Sequence, residues 1–264
     1  MAELWKGAPV AAAITAELTA RAEALKTKNV IPTLAIVRVG EKGDDLAYEN
    51  AVAKRCEKIG IAVKRIGLRE NCPKQELLSA IDGINADSSI HGCLLLRPLS
   101  DKELENAALE LLMPEKNMDE PPCTAQACLE LLDYYGAELR DKKVCVVGRS
   151  AVVGRPVRQM LEQRGADVIV CHSKTEDLPG TCRQAKIVIS AVGKAGLITA
   201  DCVSAGQLIV DVGINETPDG RLCGDVDFAA VEPLVSAITP VPGGVGAATT
   251  AVLCKHVIEA AERM

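Results

Sequence analysis

The segment Lys143-Val-Cys-Val-Val-Gly-Arg-Ser-Ala-Val-Val-Gly154 specifies the architecture of the second half of this chain. Its apolar run is typical of a buried strand, a glycine turn follows at once, and a helical pattern opens after Arg155-Pro156. A strand that enters a helix through such a turn presents N–H groups and the positive end of the helix dipole to a pyrophosphate. The spacing G-x-x-x-x-x-G differs from the standard G-x-G-x-x-G fingerprint, which leaves a plain strand–helix turn as the alternative. We predict a dinucleotide site here because the glycines lie between a strong strand and a helix.

The residues after the next predicted strand indicate which dinucleotide binds. That strand, residues 167–171, ends in His172-Ser173-Lys174, where a fold that selects NAD usually carries an acidic residue for the ribose 2′-hydroxyl. A hydroxyl and a cation, with Arg149 from the first turn, suit a 2′-phosphate instead, so we predict NADP. Glu176 and Asp177 come a few residues too late for the acidic role unless a loop returns one of them. We interpret His172 as a cofactor-side or structural residue rather than a catalytic one.

Apolar strand-like runs alternate with helical patterns along the whole chain. This alternation predicts an α/β fold with parallel sheets in both halves, with a first boundary at residues 114–122, which carry three of the prolines. The predicted strands are 33–39, 62–68, 92–96, 143–147, 167–171, 186–190, 207–211 and 236–239, and the predicted helices are 9–28, 45–59, 74–85, 101–112, 124–136, 154–164 and 249–263.

Composition excludes several classes of function. A net charge of −6 gives no overall basic footprint for nucleic acid, and 2% aromatic residues leave few platforms on which bases could stack. The apolar stretch near the N-terminus is too short for a signal peptide or a membrane span. The eleven cysteines contain no C-x-x-C pair and the three histidines do not group, so we predict no metal and reduced thiols in a cytoplasmic protein.

A second glycine-rich segment, Thr239-Pro-Val-Pro-Gly-Gly-Val-Gly246, follows a short apolar run. Proline fixes φ while glycine permits positive φ and close approach of a ligand to the backbone, so this segment is a loop of specified shape. Taken alone, it is typical of a tight interdomain turn. The preceding Gly148–Gly154 turn makes a ligand-binding loop the better interpretation.

Four motifs together resemble the methylenetetrahydrofolate dehydrogenase/cyclohydrolase family. They are Val147-Gly-Arg-Ser-x-x-Val-Gly154, Cys171-His-Ser-Lys-Thr175, Asp211-Val-Gly-Ile-Asn215 and Thr239–Gly246, and the similarity extends over nearly the whole chain. The resemblance implies two α/β domains flanking a cleft, the C-terminal one Rossmann-like. Members oxidise 5,10-methylenetetrahydrofolate to the 5,10-methenyl form with NADP in one-carbon metabolism. Many then hydrolyse that product to 10-formyltetrahydrofolate, and they are commonly homodimers.

The resemblance also assigns domains and site residues. It implies a folate-binding catalytic domain at 1–137 plus 247–264 and an NADP-binding domain at 138–246. Tyr48 and Asp119 match catalytic folate-pocket positions, Pro242 and Gly243 match the loop beside the reacting groups, and Arg149 and Ser173 match the positions that hold the 2′-phosphate. The cofactor contacts predicted in this way are Gly148, Arg149, Ser150, Val153, Gly154, His172, Ser173 and Ile214.

The chain departs from the family pattern on the folate side. The family has Y-x-x-x-K-x-K, with the first lysine central to cyclohydrolase chemistry, whereas the position is Val52 here and only the second lysine remains, as Lys54. Two residues along a helix turn through about 200°, so Lys54 is not a simple substitute. The glutamine that bonds this lysine in the family is Leu96 here.

The same region is rebuilt elsewhere: the loop after Asp119 is shortened to Asp119-Glu-Pro-Pro-Cys-Thr124, and Ala247-Ala248 replaces a Pro-Met pair. We therefore predict an NADP-dependent dehydrogenase with weak or absent cyclohydrolase activity. Two alternatives stay open. One is a fully bifunctional enzyme in which Lys54 or Arg97 reaches the site, and the other is a catalytically silent nucleotide-binding paralogue.

Overall fold

The computed structural model describes residues 1–263 and divides into two compact units. One unit combines Met1–Ala12 with Pro121–Thr249, and we call it the nucleotide unit; the other combines Ala13–Glu120 with Thr250–Met264, and we call it the N-terminal unit. Met264 itself, the last residue of the predicted segment 247–264, lies outside the described residues.

Every strand and helix predicted from the sequence is present, with ends shifted by at most two residues. The strands are β1 (Glu3–Leu4), β2 (Thr33–Val39), β3 (Ala62–Leu68), β4 (Gly92–Leu95), β5 (Lys143–Val147), β6 (Asp167–Cys171), β7 (Ile187–Ser190), β8 (Leu208–Asp211), β9 (Asn215–Glu216), β10 (Leu222–Cys223) and β11 (Ala237–Ile238). The helices are α1 (Gly7–Thr27), α2 (Gly43–Ile59), α3 (Lys74–Ala86), α4 (Lys102–Leu111), α5 (Cys123–Tyr134), α6 (Gly154–Gln163), α7 (Leu178–Arg183), α8 (Phe228–Val231) and α9 (Thr249–Arg263).

A six-stranded parallel sheet forms the centre of the nucleotide unit, in the order β1-β11-β8-β7-β5-β6. The chain passes from β5 outward to β6 and then returns to β7 on the other side of β5. Loops that leave neighbouring strands in opposite directions open a crevice at the carboxyl ends of those strands, here β5 and β7. Ile187, Val188 and Ile189 are fully buried because helices and loops cover both faces of the sheet.

The first twelve residues belong to the nucleotide unit, which differs from the predicted domain boundaries. β1 pairs in parallel with β11, Trp5 stacks on Tyr135 with ring centroids 4.9 Å apart, and the Tyr135 hydroxyl donates to the Lys6 carbonyl at 2.9 Å. Helix α5, predicted to lie with residues 1–137, also groups with this unit, where it packs against α6. A two-residue strand carries no periodicity, so its partner strand alone reveals its place.

The N-terminal unit is built on a three-stranded parallel sheet in the order β3-β2-β4. Its core joins the sheet to α3 and α4 through apolar side chains such as Val37, Leu95, Ile81 and Leu104. Each such side chain contributes about 1.5–3 kcal/mol when fully buried. Helix α9 returns to this unit, where Cys254 contacts Cys56 of α2 with sulfur atoms 3.7 Å apart.

Candidate cofactor and substrate sites

The turn between β5 and α6 accepts only glycine at both of its predicted positions. Gly148 has φ of 120°, and a Cβ there would lie 2.3 Å from the carbonyl oxygen of Ala191, the first residue after β7. A Cβ on Gly154 would lie 2.4 Å from the carbonyl oxygen of Gly148. The glycines therefore let the turn close on itself and approach the loop after β7.

The start of α6 is organised by Ser150. Its Oγ accepts the N–H groups of Val153 at 3.1 Å and Gly154 at 3.3 Å, and its carbonyl accepts that of Arg155 at 3.0 Å. The sequence pattern indicated that these N–H groups are open to a phosphate, whereas the serine side chain takes two of them in this structure. Ser150 and Val153 thus stabilise the turn through a hydrogen bond within it.

A cavity of about 520 Å³ lies at the crevice between the ends of β5 and β7. Gly148, Arg149 and Ser150 line one side, and Ala191, Val192 and Lys194 line the other. The structure also brings His172 and Ser173 to this cavity, so five of the predicted cofactor residues meet there, while Gly154 lines a neighbouring cavity. Neither Asp nor Glu is among its lining residues, and the cations are Arg149 and Lys194. Its charge therefore suits an anionic ligand.

His172 is held in the turn that follows β6. Its Nδ1 accepts the N–H of Lys174 at 3.1 Å, and its own N–H donates to Thr175 Oγ1 at 2.9 Å. An Nδ1 that accepts a hydrogen bond leaves the proton of a neutral imidazole on Nε2. His172 orders the loop that presents Ser173, which agrees with the interpretation of this residue as cofactor-side or structural.

The Pro/Gly loop borders a separate cavity of about 340 Å³. Pro242 and Gly243 line it together with Ile214, which is exposed, so these three predicted residues meet at one place. Gly243 has φ of 104°, and a Cβ on Gly244 would lie 2.5 Å from the Pro240 carbonyl oxygen. The loop shape thus depends on its glycines, as the sequence indicated.

Two buried aspartates connect these loops through hydrogen bonds: Asp225, which the sequence analysis did not single out, and Asp211, which it quoted only as part of a motif. Asp225, fully buried, accepts hydrogen bonds from Ser190 Oγ (3.0 Å) and from the N–H groups of Val192 (2.7 Å) and Lys194 (2.8 Å). It also accepts one from Asn215 Nδ2 at 3.0 Å, which joins the loop after β7 to the start of β9. The segment Arg221-Leu-Cys-Gly-Asp-Val-Asp227 carries a second aspartate nearby, so sequence alone gave no signal that distinguished Asp225.

Asp211, at the end of β8, accepts the N–H groups of Gly213, Asp225 and Val226 at 2.9–3.0 Å. Burial raises the pKa of this carboxyl to about 6, against the opposing effect of those hydrogen bonds. The pKa of a solvated aspartate is near 3.9. Asp211 therefore binds its proton more tightly in the folded chain than in the unfolded chain.

This shift predicts a pH dependence of stability. The contribution of Asp211 is fully present below about pH 4 and is lost as the pH rises through about 6, because the unfolded chain releases this proton first. A shift of two units corresponds to about 3 kcal/mol. In urea unfolding between pH 4.5 and 7.5, the free energy of unfolding of the unmodified chain should fall relative to that of Asp211→Asn by about 2 kcal/mol, because part of the effect lies below pH 4.5. A difference that stays constant across this range would contradict the assignment, and a carboxyl carbon NMR titration measures the pKa directly.

On the folate side, α2 carries three of the predicted positions. Val52 is fully buried, Lys54 is exposed, and Tyr48 is partly exposed at 37%. Lys54 therefore lies on a different face of α2 from Val52, as the helical rotation predicted. Leu96, just after β4, is buried, with 5% of its surface exposed.

Asp119 forms an ion pair with Arg97. Both side chains are about 30% exposed, and the Asp119 N–H donates to Asn117 Oδ1 at 3.2 Å. The preceding residue, Met118, contacts α9: its carbonyl oxygen lies 2.9 Å from His256 Nδ1. Arg97 therefore directly contacts the carboxylate that the resemblance assigns to the substrate.

Residues 1–263 offer neither a metal site nor a membrane span. No group of three or more His, Cys, Asp or Glu side chains in this range is arranged to hold a metal ion. None of its helices combines the length and the apolar character that a membrane span requires. All eleven cysteines are free thiols.

The sheet order, the glycine turn and the crevice define an α/β protein of two domains, one of them a Rossmann-like dinucleotide-binding domain. The family model for the catalytic domain of tetrahydrofolate dehydrogenase/cyclohydrolase matches residues 5–119, and the model for its NAD(P)-binding domain matches residues 122–264. The chain belongs to the tetrahydrofolate dehydrogenase/cyclohydrolase family, which confirms the resemblance seen in the motifs.

Individual relatives agree with this assignment. The bifunctional protein FolD of Carboxydothermus hydrogenoformans is 45% identical over 99% of this chain and 98% of that protein. The crystal structure of the bifunctional FolD enzyme of Campylobacter jejuni superimposes with a TM-score of 0.94 at 37% identity, over 100% of this chain and 99% of that one. The Trypanosoma brucei FolD structure, complexed with NADP and an inhibitor, gives a TM-score of 0.92 at 31% identity, over 99% of this chain and 98% of that one.

Proposed function

We propose that this chain is an NADP-dependent 5,10-methylenetetrahydrofolate dehydrogenase with weak or absent cyclohydrolase activity. The observation that carries the cofactor choice is the crevice cavity, where Arg149 and Ser173 meet and no carboxylate is among the lining residues. A carboxylate would favour the ribose 2′-hydroxyl of NAD and repel a 2′-phosphate. The relative from Trypanosoma brucei, solved with NADP, supports the same choice.

The residues present fit this cofactor. Gly148 lets the backbone approach a pyrophosphate without a Cβ, and Lys194 adds a second cation to the cavity. When bound, NADP accepts the hydride that leaves the methylene carbon. Loss of that hydride is driven by a nitrogen lone pair of the folate, so no side chain has to transfer a proton. The protein's contribution is to bind, to orient and to stabilise charge.

Tyr48 and Asp119 are the residues proposed to bind and orient the folate. The Asp119 carboxylate offers acceptor oxygens to the folate, and its pairing with Arg97 orients it while offsetting much of its charge. Hydride transfer needs nothing further from α2. Replacement of the family lysine by Val52 is therefore compatible with the dehydrogenase reaction.

Hydrolysis of the methenyl product makes a different demand. Water has to be activated and a tetrahedral intermediate partitioned, steps that a general acid or base accelerates about 10²–10⁴-fold. Val52 and Leu96 are buried aliphatic side chains, and Lys54 is exposed on another face of its helix. A guanidinium group offers N–H donors and no acceptor, and that of Arg97 is paired with Asp119, so it is not a substitute for the missing lysine. These four side chains leave the hydrolytic step without the family's acid–base pair.

The second candidate is a fully bifunctional enzyme. It is supported by the relatives, since the proteins from Carboxydothermus hydrogenoformans and Clostridium botulinum, 45% and 41% identical, both carry the name bifunctional protein FolD. A silent nucleotide-binding paralogue is the third; it would keep the same cofactor cavity, so turnover rather than nucleotide binding separates it from the other two. A homodimer, which the family resemblance implies, is part of the proposal.

A paired assay on one preparation tests the proposal. Reduction of NADP with methylenetetrahydrofolate is followed at the nicotinamide absorbance, and decay of purified methenyltetrahydrofolate is followed separately against buffer. We expect NADP reduction, and methenyl decay no faster than the buffer rate. Enzyme-dependent decay would establish the bifunctional alternative, and failure to reduce NADP at saturating folate would establish the silent one.

A further inference from the structure

A second cavity of about 590 Å³ adjoins the nucleotide cavity in the same unit. The two cavities share Gly148, Arg149 and His172 as lining residues, so they open onto the same turn from different sides. The second one is bordered by α6 rather than by the loop after β7. A ligand bound at Arg149 therefore has access to side chains of α6.

The charges around this second cavity are unbalanced. Arg149, Arg155 and Arg158 line it, and Glu162 is the one carboxylate among its lining residues. Glu162 Oε1 bonds Arg158 Nε at 2.7 Å, which leaves the terminal nitrogens of that guanidinium unused by the pair. Three guanidiniums and one carboxylate give a formal charge of +2, in a chain whose net charge is −6.

The arrangement of the arginines suits a phosphomonoester. Arg155 and Arg158 are separated by three residues, which places them on one face of α6, within its N-terminal half, where the helix dipole favours an anion. Guanidinium groups match phosphate oxygens with paired N–H donors. A dianion there would neutralise the formal charge of the cavity.

We propose that Arg155 and Arg158 form a second wall of the 2′-phosphate site, opposite Ser173, and that Arg158 determines the preference for NADP over NAD. This inference rests on the proposed use of NADP. It adds two residues of α6 to Arg149 and Ser173. Arg158 is the sharper test because its pair with Glu162 engages Nε and leaves the terminal nitrogens for a phosphate.

The test measures binding and requires no turnover. Isothermal titration of the purified full chain compares adenosine 2′,5′-bisphosphate with adenosine 5′-monophosphate, which lacks the 2′-phosphate. Arg158→Gln and Arg155→Gln should each weaken binding of the bisphosphate about tenfold and leave binding of the monophosphate within about twofold, as expected for a lost charge-assisted hydrogen bond. Arg158→Lys should recover part of the loss, because it restores the charge without the paired donors.

Arg164→Gln is the matched control, because Arg164 follows the same helix, pairs with Asp133 and does not line the cavity. Its affinity for both ligands should equal that of the unmodified chain. Circular dichroism and thermal unfolding establish that each variant is folded. If Arg158→Gln fails to fold, Arg158→Lys takes its place, and its affinity for the bisphosphate should lie below that of the unmodified chain.

Inorganic phosphate is titrated as a third ligand. Three results would overturn the inference: equal loss for both nucleotides, no loss for either, or weaker phosphate binding with unchanged bisphosphate binding, which would assign the cavity to a free phosphate. Its failure is distinguishable from failure of the proposed function. Folate-dependent NADP reduction with unchanged bisphosphate affinity in Arg158→Gln rejects only this inference. An Arg158-dependent affinity for the bisphosphate without folate oxidation rejects only the proposed reaction.

Discussion

Val52→Lys combined with Leu96→Gln should increase the rate of methenyltetrahydrofolate hydrolysis by about 10²–10⁴-fold, the range that a positioned acid–base group supplies. The two substitutions restore the lysine and the glutamine that the family pattern carries at these positions. Dehydrogenase activity should stay within about threefold of the unmodified chain, because hydride transfer does not use this pair. Decay of methenyltetrahydrofolate and reduction of NADP, measured on the same preparation, provide the two rates.

The single variants sharpen this experiment. Val52 is fully buried, so lysine alone at this position lacks a hydrogen-bond partner and should lower the free energy of unfolding by several kcal/mol. Leu96→Gln alone leaves a buried amide unpaired and should cost about 1–3 kcal/mol. The double variant should therefore lose less free energy of unfolding than the two single variants lose together. A double-mutant cycle measures this coupling.

Val52→Met with Leu96→Met is the control for side-chain length without polarity, and it should not hydrolyse the substrate. If the polar double variant folds and reduces NADP, but methenyltetrahydrofolate still decays only at the buffer rate, these two positions are not the cause of the missing activity. The shortened loop after Asp119 would then be the remaining difference to test.

Local pattern predicted most of the secondary structure because apolar periodicity and glycine placement act over short stretches of sequence. β2, β5 and β6 match their predicted bounds, and Gly60 ends α2 with φ of 95°. The two-residue strand β1 escaped prediction because its pairing with β11 joins residues more than 230 positions apart. The affiliation of α5 was missed for a related reason: it depends on packing against α6 rather than on its own sequence.

The candidate site divides in the same way. Glycine positions and the residues after β6 follow from local chemistry, and the structure gathers Arg149, His172 and Ser173 around one cavity. The role of Asp225 could not be read from the sequence, because its partners come from two other segments, the end of β7 with its following loop and the start of β9. The reach of Arg97 to Asp119 likewise depends on two segments that are distant in the chain.

Gly148→Ala should reduce the affinity for NADP and for adenosine 2′,5′-bisphosphate by at least about one-hundredfold. Its Cβ would lie 2.3 Å from the Ala191 carbonyl oxygen, a backbone atom, so either the turn after β5 or the loop after β7 has to move. Both line the nucleotide cavity. The positive φ adds about 1–2 kcal/mol of strain and the overpacking about 1–3 kcal/mol. A hundredfold loss corresponds to about 2.7 kcal/mol, within that combined range.

Gly196→Ala separates the clash from the strain. Gly196 has φ of 64°, yet a Cβ at this position meets no atom within 4 Å. It should therefore lower the free energy of unfolding by about 1–2 kcal/mol while leaving nucleotide affinity within about threefold. If both alanine variants bound adenosine 2′,5′-bisphosphate equally well, the turn after β5 would not be the part of the chain that holds the dinucleotide. If only Gly148→Ala loses binding, the close approach of two backbones, rather than positive φ itself, is what this turn requires of glycine.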